Sequence, residues 1–226
     1  MNELFFSQTK LSKRISLIIL LVFVLSLLAA PASINAQIIP DTGLATYEAV
    51  SDNTVSLLPL DTFVEFLTNG EADQVVGVYV EDAFAQKVVQ QPADDAGYVS
   101  PFNNQITDFA MVSKMTGNIG MLAHNYLSGE LFFDLVPGDV IHVVYGDGTI
   151  KSFSVDRLES YQALSPHSVY SDFVNLDTQE KLSATQLFER VYGGSYHMTF
   201  QTCIREGDEF SWGRLFVIAT PLDVQS

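Results

Sequence analysis

Residues 196–203 read Tyr196-His197-Met198-Thr199-Phe200-Gln201-Thr202-Cys203, and they end at the only cysteine of the 226-residue chain. Large and polar side chains alternate along this run, which predicts a β-strand because successive side chains of a strand point to opposite faces. The aromatic face is the natural core face. One face would then carry His197, Thr199, Gln201 and Cys203, and the other Tyr196, Met198, Phe200 and Thr202.

A second strand is predicted at residues 214–219, and a hairpin return would bring Arg214 alongside Cys203. Upstream, His124 closes an apolar segment and opens a polar one, at the kind of strand end where scaffolds present reactive groups. A thiol, an imidazole and a guanidinium can attack an acyl carbon, move a proton and stabilise an oxyanion. The sequence therefore favours acyl transfer by Cys203, His124 and Arg214, although a buried and inert cysteine is an equal alternative.

The other histidines are weaker partners for the thiol. His197 lies six residues from Cys203, roughly 20 Å along a strand at ~3.3 Å per residue. We interpret His142, in the middle of a predicted strand, as structural, and His167, in a predicted loop, as solvated. Arg205 is next to the thiol in sequence, but it lies in a charged loop where a solvated ion pair explains it.

The rest of the chain is predicted to be mostly β. The turn at 146–148 has glycines where a hairpin needs positive φ. Many short strands with two small helices favour a β-barrel or a sandwich with helical decorations. Strands are predicted at residues 75–80, 87–89, 106–114, 119–123, 140–145 and 149–155.

Two helices are marked by capping boxes, in which a Ser or Thr precedes a Glu or Gln by three residues. Thr62 and Glu65 predict a short helix that ends before Gly70. Ser183 and Gln186 predict a second helix.

The N-terminus predicts export. Three basic residues precede an uncharged stretch at 15–30, and small residues follow up to Ala36, which is the order of a secretory signal. Residues 1–36 would be a signal peptide or a membrane anchor, 37–70 a linker and short helix, and 71–226 the catalytic domain. Cleavage after Ala36 and retention as an anchor stay open, so the domain would lie on the extracellular face of the cytoplasmic membrane or be secreted.

Charge excludes one class of partner. The formal net charge of −16 argues against binding nucleic acid or anionic lipid through a basic patch. One cysteine cannot form an internal disulfide, so an exported domain would depend on its core for stability.

The motifs resemble those of the sortase family. Residues 199–203 are similar to its Thr-Leu-x-Thr-Cys signature, with Phe200 in place of leucine. Residues 214–217 are similar to its arginine strand, and residues 123–125 to its His-Asn segment, with Ala123 where glycine is common. The order and spacing of these motifs carry the resemblance, which covers residues 75–220.

The resemblance implies a closed barrel of about eight strands with one or two short helices, and a cysteine transpeptidase. Cys203 would be the nucleophile, His124 the general acid and base, and Arg214 the group that binds substrate and steadies the oxyanion. The partners implied are exported proteins with a C-terminal sorting motif, and an amine acceptor such as a cell-wall precursor or a pilin lysine.

No cofactor is expected. Calcium sites occur in some sortases, but the acidic residues of this chain show no regular ligand spacing. The candidates considered for such a site are Asp94, Asp95, Glu206, Asp208 and Glu209.

Three alternatives remain. An L,D-transpeptidase also uses Cys, His and Arg, and residues 203–205 match its Cys-x-Arg end, but its Ser-His-Gly run is absent. A papain-like protease would carry its cysteine at a helix start, with the histidine later in the chain. In this chain His124 precedes Cys203, and Cys203 ends a predicted strand. A catalytically idle, surface-anchored binding domain on the same barrel is the main non-enzyme alternative.

Overall fold

Eight strands close into a barrel in the computed structural model, which describes residues 48–49, 55–168 and 170–222. Around the barrel, neighbouring strands follow the order β8-β12-β11-β6-β5-β4-β3-β7, and β7 pairs back with β8. The strands are β1 Glu48–Ala49, β2 Val55–Ser56, β3 Val75–Val80, β4 Phe84–Gln90, β5 Gln105–Asp108, β6 Ile119–Leu122, β7 Val140–Tyr145, β8 Ile150–Ala163, β9 Asp172–Asn175, β10 Lys181–Ser183, β11 Met198–Glu206 and β12 Glu209–Pro221.

The predicted mostly-β fold is confirmed, and of the two architectures that the pattern favoured it is the barrel. The pairs β4–β5 and β6–β11 are parallel, and the other pairs of the ring are antiparallel. Strands β9 and β10 extend the sheet outward from β8, and β1 pairs with β2 in a separate two-stranded sheet.

Three α-helices are described, where one or two were expected: α1 Leu60–Leu67, α2 Ala110–Thr116 and α3 Ala184–Tyr192, with a 3-10 helix at Ser128–Asp134.

The length of β8 allows the barrel to close. Its first residues pair with β7 and its last three with β9, while its other edge pairs with β12. The predicted strand at 149–155 is therefore only the first part of a 14-residue strand.

The barrel interior is filled by aromatic and aliphatic side chains. The rings of Phe132, from the 3-10 helix, and Phe200, from β11, stack with centroids 4.5 Å apart, and Phe84 packs against both. Met198 and Phe200 of the cysteine strand therefore face the core as predicted, whereas Tyr196 is 42% exposed and precedes the strand, which begins at Met198. Its other face is covered by α3, where the Tyr192 hydroxyl donates to Gln201 Oε1 at 2.6 Å.

The predicted strand at 106–114 is wrong beyond Asp108. The chain turns at Phe109 into α2, whose Met111 and Val112 are buried, and the helix ends at Gly117 with a left-handed φ of 77°. A run of apolar residues this short does not distinguish a strand from a helix, and tertiary packing decided between them.

The two predicted capping boxes had different outcomes. Helix α3 begins after Ser183, and both reciprocal hydrogen bonds with Gln186 are present. Helix α1 instead begins at Leu60 behind Pro59, without a side-chain cap, so Thr62 lies inside the helix. The N–H groups at the start of a helix have no partner within the helix, so a proline, which has no N–H, costs nothing there. Its fixed φ also favours a helix start at this position.

The predicted signal or anchor at residues 1–36 lies outside the described residues. Within the described ranges, no helix has the length and apolar character that crossing a membrane requires. Helix α1, which the sequence placed with the linker, packs against the barrel: Phe63 lies in one apolar cluster with Val76, Tyr79 and Val144.

Candidate active site

The hairpin of β11 and β12 places Cys203 directly opposite Arg214 as Cα partners. Directly opposed residues of an antiparallel pair project to the same face, with Cβ atoms about 4.5–5.5 Å apart. The hairpin turn is short, since β12 begins at Glu209. The predicted hairpin return thus brings the thiol and the guanidinium together.

Parallel pairing of β6 with β11 brings His124 to the same end of the barrel. Leu122, the last residue of β6, is the partner of Gln201, and the Ala123 N–H donates to the Gln201 carbonyl at 3.3 Å. The Thr202 hydroxyl donates to the Ala123 carbonyl at 2.9 Å. These two hydrogen bonds hold Ala123 against β11, and they thereby fix the point at which the chain leaves β6 at His124.

One pocket contains all three predicted catalytic residues. It encloses about 280 Å³, part of which is open to solvent. The walls come from the end of β6 and the residues after it, from the middle of β11, from β12 and from the loop before β5. They consist of Val99, Leu122, Ala123, His124, Gln201, Thr202, Cys203 and Arg214.

Arg214 is buried in the wall of this pocket, with 1% of its surface exposed. Its Nη1 donates to the carbonyls of Ser211, at 2.9 Å, and Gly213. Its Nη2 is buried and has no hydrogen-bond partner among the described residues. Buried polar groups are nearly always paired, because an unpaired one costs the full penalty of leaving water. This nitrogen therefore has an unused donor in a residue that lines the pocket.

His124 and Cys203 are both partly exposed, so neither is sealed in the core. Burial lowers the pKa of His124 below its ordinary value, and a hydrogen bond with the Val99 backbone partly opposes this. The imidazole stacks on the ring of Tyr126, with centroids 5.2 Å apart and an angle of 17° between the planes.

The loop after β6 folds back on His124. The N–H groups of Leu127 and Gly129 both donate to the His124 carbonyl at 3.0 Å. A Cβ on Gly129 would lie 2.7 Å from that carbonyl oxygen and 2.8 Å from the Ala123 carbonyl, and it would also meet the Thr202 hydroxyl. Only glycine fits this close approach, so Gly129 helps to fix the backbone of His124.

The three other histidines do not line the pocket. His197 is buried with both ring nitrogens on backbone carbonyls, Nδ1 2.7 Å from Ser195 and Nε2 3.0 Å from Val191. His142 Nδ1 lies 2.9 Å from the Ser152 hydroxyl, as a structural role predicts. His167 is exposed, but its Nε2 lies 2.7 Å from a Glu209 carboxylate oxygen, so it is paired with an acid.

Arg205 takes no part in the pocket, and the expected ion pair is not what holds it. Its Nε donates to the Gly207 carbonyl at 2.7 Å, and its guanidinium carbon lies 4.3 Å from the centre of the Phe210 ring. The short turn of the hairpin offers a carbonyl and a ring face closer than the neighbouring carboxylates.

Sequence reasoning missed three contributors to the site: Val99, Tyr126 and Gly129. The available signals were an aromatic residue and a glycine in the polar stretch after His124. For Val99 there was no local signal, because the loop before β5 reaches the pocket only in the folded barrel. No three His, Cys, Asp or Glu side chains in the described part of the chain are grouped so that they could hold a metal ion.

No protein-family model and no curated protein sequence matches the chain. Solved structures do match. Sortase C from Clostridium perfringens SM101 is 15% identical, with 71% of this chain and 76% of that chain covered and a TM-score of 0.42. A Clostridium perfringens sortase D5 transpeptidase is 16% identical, with 72% and 86% covered and a TM-score of 0.42. Streptococcus agalactiae sortase C1 is 15% identical, with 70% and 73% covered and a TM-score of 0.44. The solved structures to which the chain is similar are thus sortases, the family that its motifs resemble.

Proposed function

We propose that this protein is an exported cysteine transpeptidase of the sortase type. It would cleave a sorting motif near the C-terminus of exported proteins and transfer the acyl group to an amine, such as one of a cell-wall precursor or a pilin lysine. The domain would act at the extracellular face of the cytoplasmic membrane, anchored by residues 1–36, or as a secreted enzyme if that segment is removed.

The observation that carries this proposal is the unpartnered Nη2 of Arg214, buried in the wall of the pocket that also holds Cys203 and His124. A buried guanidinium nitrogen without a partner destabilises the free protein. A substrate carbonyl would satisfy it, and the oxyanion formed from that carbonyl would satisfy it better, because hydrogen bonds to charged groups are stronger.

In the first half-reaction, the Cys203 thiolate would attack the scissile carbonyl carbon, and the oxyanion would accept a hydrogen bond from Arg214 Nη2. When the tetrahedral intermediate collapses, the C–N bond breaks and His124 gives its proton to the leaving amine. The product is a thioester on Cys203 and a free C-terminal fragment.

In the second half-reaction, the acceptor amine would attack the thioester and lose a proton to neutral His124. The C–S bond breaks, a new amide forms and Cys203 leaves as the thiolate. His124 then carries the proton again and the thiolate is restored, so the cycle closes without a metal, oxidant or reductant.

Intact-mass analysis of the purified full-length chain tests this proposal. The chain would be incubated with a library of sorting-type peptides, with and without a lysine-containing acceptor peptide. We expect an adduct of the N-terminal peptide fragment on Cys203, which disappears when the acceptor is added and yields a ligated product. Cys203→Ala is the control, and it should give neither adduct nor product while its circular dichroism is unchanged.

Two results would overturn the proposal. Turnover by Cys203→Ala equal to that of the wild type would end the cysteine-enzyme interpretation. A folded wild-type chain that gives no adduct, and whose Cys203 also resists thiol reagents, would favour the idle binding domain.

A further inference from the structure

The proposed general acid and base, His124, is covered on one ring face by Tyr126. The two rings are nearly parallel, with centroids 5.2 Å apart. Tyr126 is 46% exposed, so it is not held there as a core residue. His124 itself lies beyond the end of β6, where no strand partner fixes its side chain. The stacked ring therefore limits rotation of the imidazole, together with the hydrogen bond to the Val99 backbone.

Tyr126 is supported by the opposite side of the site. The Phe210 ring meets the Tyr126 ring edge-on, with centroids 5.9 Å apart and an angle of 87°. The Arg205 guanidinium covers Phe210, and Asn125 Nδ2 donates to the Phe210 carbonyl at 3.0 Å. Aromatic and cation–π contacts of this kind are attractive, because the electron-rich face of a ring draws cations and the edges of other rings. We call Tyr126 and Phe210 the aromatic shelf.

The shelf connects the loop that carries His124 to the hairpin that carries Cys203 and Arg214. Burial and the neighbouring charge of a Cys203 thiolate both raise the pKa of Tyr126. The titratable groups around His124 are thus Tyr126 from its own loop, Cys203 from β11 and Arg214 from β12.

We propose that Tyr126 is a positioning residue, which holds the His124 imidazole in the orientation that serves both proton transfers. This inference rests on the proposed transpeptidase function. A general acid must stay within hydrogen-bond reach of the leaving amine and later of the incoming amine, and small losses of orientation are costly to the rate. Stacking fixes the plane of the ring without using a ring nitrogen, so it leaves the nitrogen that does not contact the Val99 backbone free for chemistry.

The proposal assigns a role to Arg205 without placing it in the pocket. Arg205 supports Phe210, and Phe210 supports Tyr126. Loss of this support should therefore loosen His124 in steps: most for Tyr126→Ala, less for Phe210→Ala and least for Arg205→Ala.

Steady-state kinetics of Tyr126→Ala, Tyr126→Phe and Tyr170→Ala test the proposal in the full-length chain. Tyr126→Ala should lower kcat about 10- to 100-fold with little change in KM, and Tyr126→Phe should retain most of the activity because the ring remains. Tyr170 is 69% exposed, and Tyr170→Ala is the matched control for the loss of an exposed tyrosine. A raised KM with unchanged kcat would mean that Tyr126 binds substrate, and it would overturn the positioning role.

Histidine NMR titration gives a second measurement that needs no turnover. Burial lowers the pKa of His124, so removal of the covering ring in Tyr126→Ala should raise that pKa toward its ordinary value, while Tyr126→Phe should leave it unchanged. Unchanged titration together with unchanged kcat in Tyr126→Ala would overturn the proposal. A wild-type chain that never transfers peptide would refute the proposed function instead, and the titration would still decide whether Tyr126 controls His124.

Discussion

Cys203 and Arg214 are direct Cα partners in the β11–β12 ladder, whereas Arg205, two positions from the thiol in sequence, contacts the hairpin turn and the Phe210 ring. Arg214 thus lines the same pocket as the thiol, and Arg205 does not. Under the proposed mechanism, this relationship would make Arg214, and not Arg205, the arginine that reaches a substrate carbonyl.

Arg214→Ala should lower kcat/KM far more than Arg205→Ala, by at least about 10²-fold, as expected when an oxyanion donor is lost. Arg214→Lys should also be severely impaired, because an ammonium cannot reproduce the fork that binds the Ser211 and Gly213 carbonyls while presenting a further N–H. Peptide-transfer kinetics measure this, with circular dichroism to verify folding. Equal losses in the two alanine variants would show that the ladder does not define the oxyanion site.

Gly129→Ala should reduce both stability and activity. The added methyl group would overlap the carbonyls of Ala123 and His124, so the loop must move, and His124 moves with it. Gly70→Ala is the control: that glycine has a φ of 90° with open space around it, so strain of about 1–2 kcal/mol is the only expected cost. Thermal melts and kinetics of the two variants compare them. Full activity in folded Gly129→Ala would contradict the close fit.

Asp108→Asn should stabilise the protein at pH 8 but not at pH 4. Burial raises the pKa of Asp108 to about 6, although Lys114 partly opposes the rise. The pKa of an aspartate in the unfolded chain is lower, ~3.9. The protein is therefore most stable below this unfolded-state pKa, and its free energy of unfolding falls as the pH rises through the folded-state pKa of Asp108. The loss is at most about 3 kcal/mol. Thermal melts at both pH values measure it.

The control for Asp108 is Asp94→Asn, which removes an exposed carboxylate and should change the melting temperature little at either pH. If Asp108→Asn destabilises at pH 8, the carboxylate makes a contact worth more than its burial costs.

Glu159→Gln should destabilise the protein at neutral pH by about 1–3 kcal/mol. Glu159 is buried, and its carboxylate accepts hydrogen bonds from Tyr161, from Arg157 Nε at 2.7 Å and from Arg190 Nε at 2.9 Å. Burial alone would raise the pKa of Glu159, but these partners lower it below its ordinary value.

The depressed pKa gives the stabilisation from Glu159 a defined pH dependence. This stabilisation is present above the unfolded-state pKa and is lost as the pH falls through the folded-state pKa. The free energies of unfolding of the wild type and Glu159→Gln should therefore converge in acid. Glu180→Gln removes an exposed partner of Arg190 and should cost under about 1 kcal/mol. Urea titrations at pH 7 and pH 3 test this, and equal costs of the two variants at pH 7 would contradict it.

Local patterns in the sequence predicted much of the barrel. Alternation and glycine turns located β3 and β7 at their observed bounds and the hairpin that follows β7, because strand geometry and turn chemistry act over a few residues. The Ser183 capping box located α3 for the same reason. The sequence did not distinguish helix from strand at residues 110–116, because an apolar run this short fits either element.

The three predicted catalytic residues lie in one pocket. His124 follows the end of β6, and Cys203 and Arg214 are opposite each other in the β11–β12 ladder, as the local sequence pattern predicted. The rest of the site depends on residues distant in sequence. Val99 reaches the pocket through the loop before β5, and the Tyr126 ring finds its support on Phe210. Neither contact leaves a periodic signal.

The sequence alone determined the alternation that predicts the cysteine strand, which begins at Met198, the strand that contains Arg214, and the position of His124 at a strand end. The tertiary structure decided the parallel pairing of β6 with β11, the closure of β7 onto β8 and the unpartnered Nη2 of Arg214. The physical reason is range: backbone geometry, turns and caps act between near neighbours, whereas ladder register, burial and hydrogen-bond satisfaction exist only when distant segments have packed together.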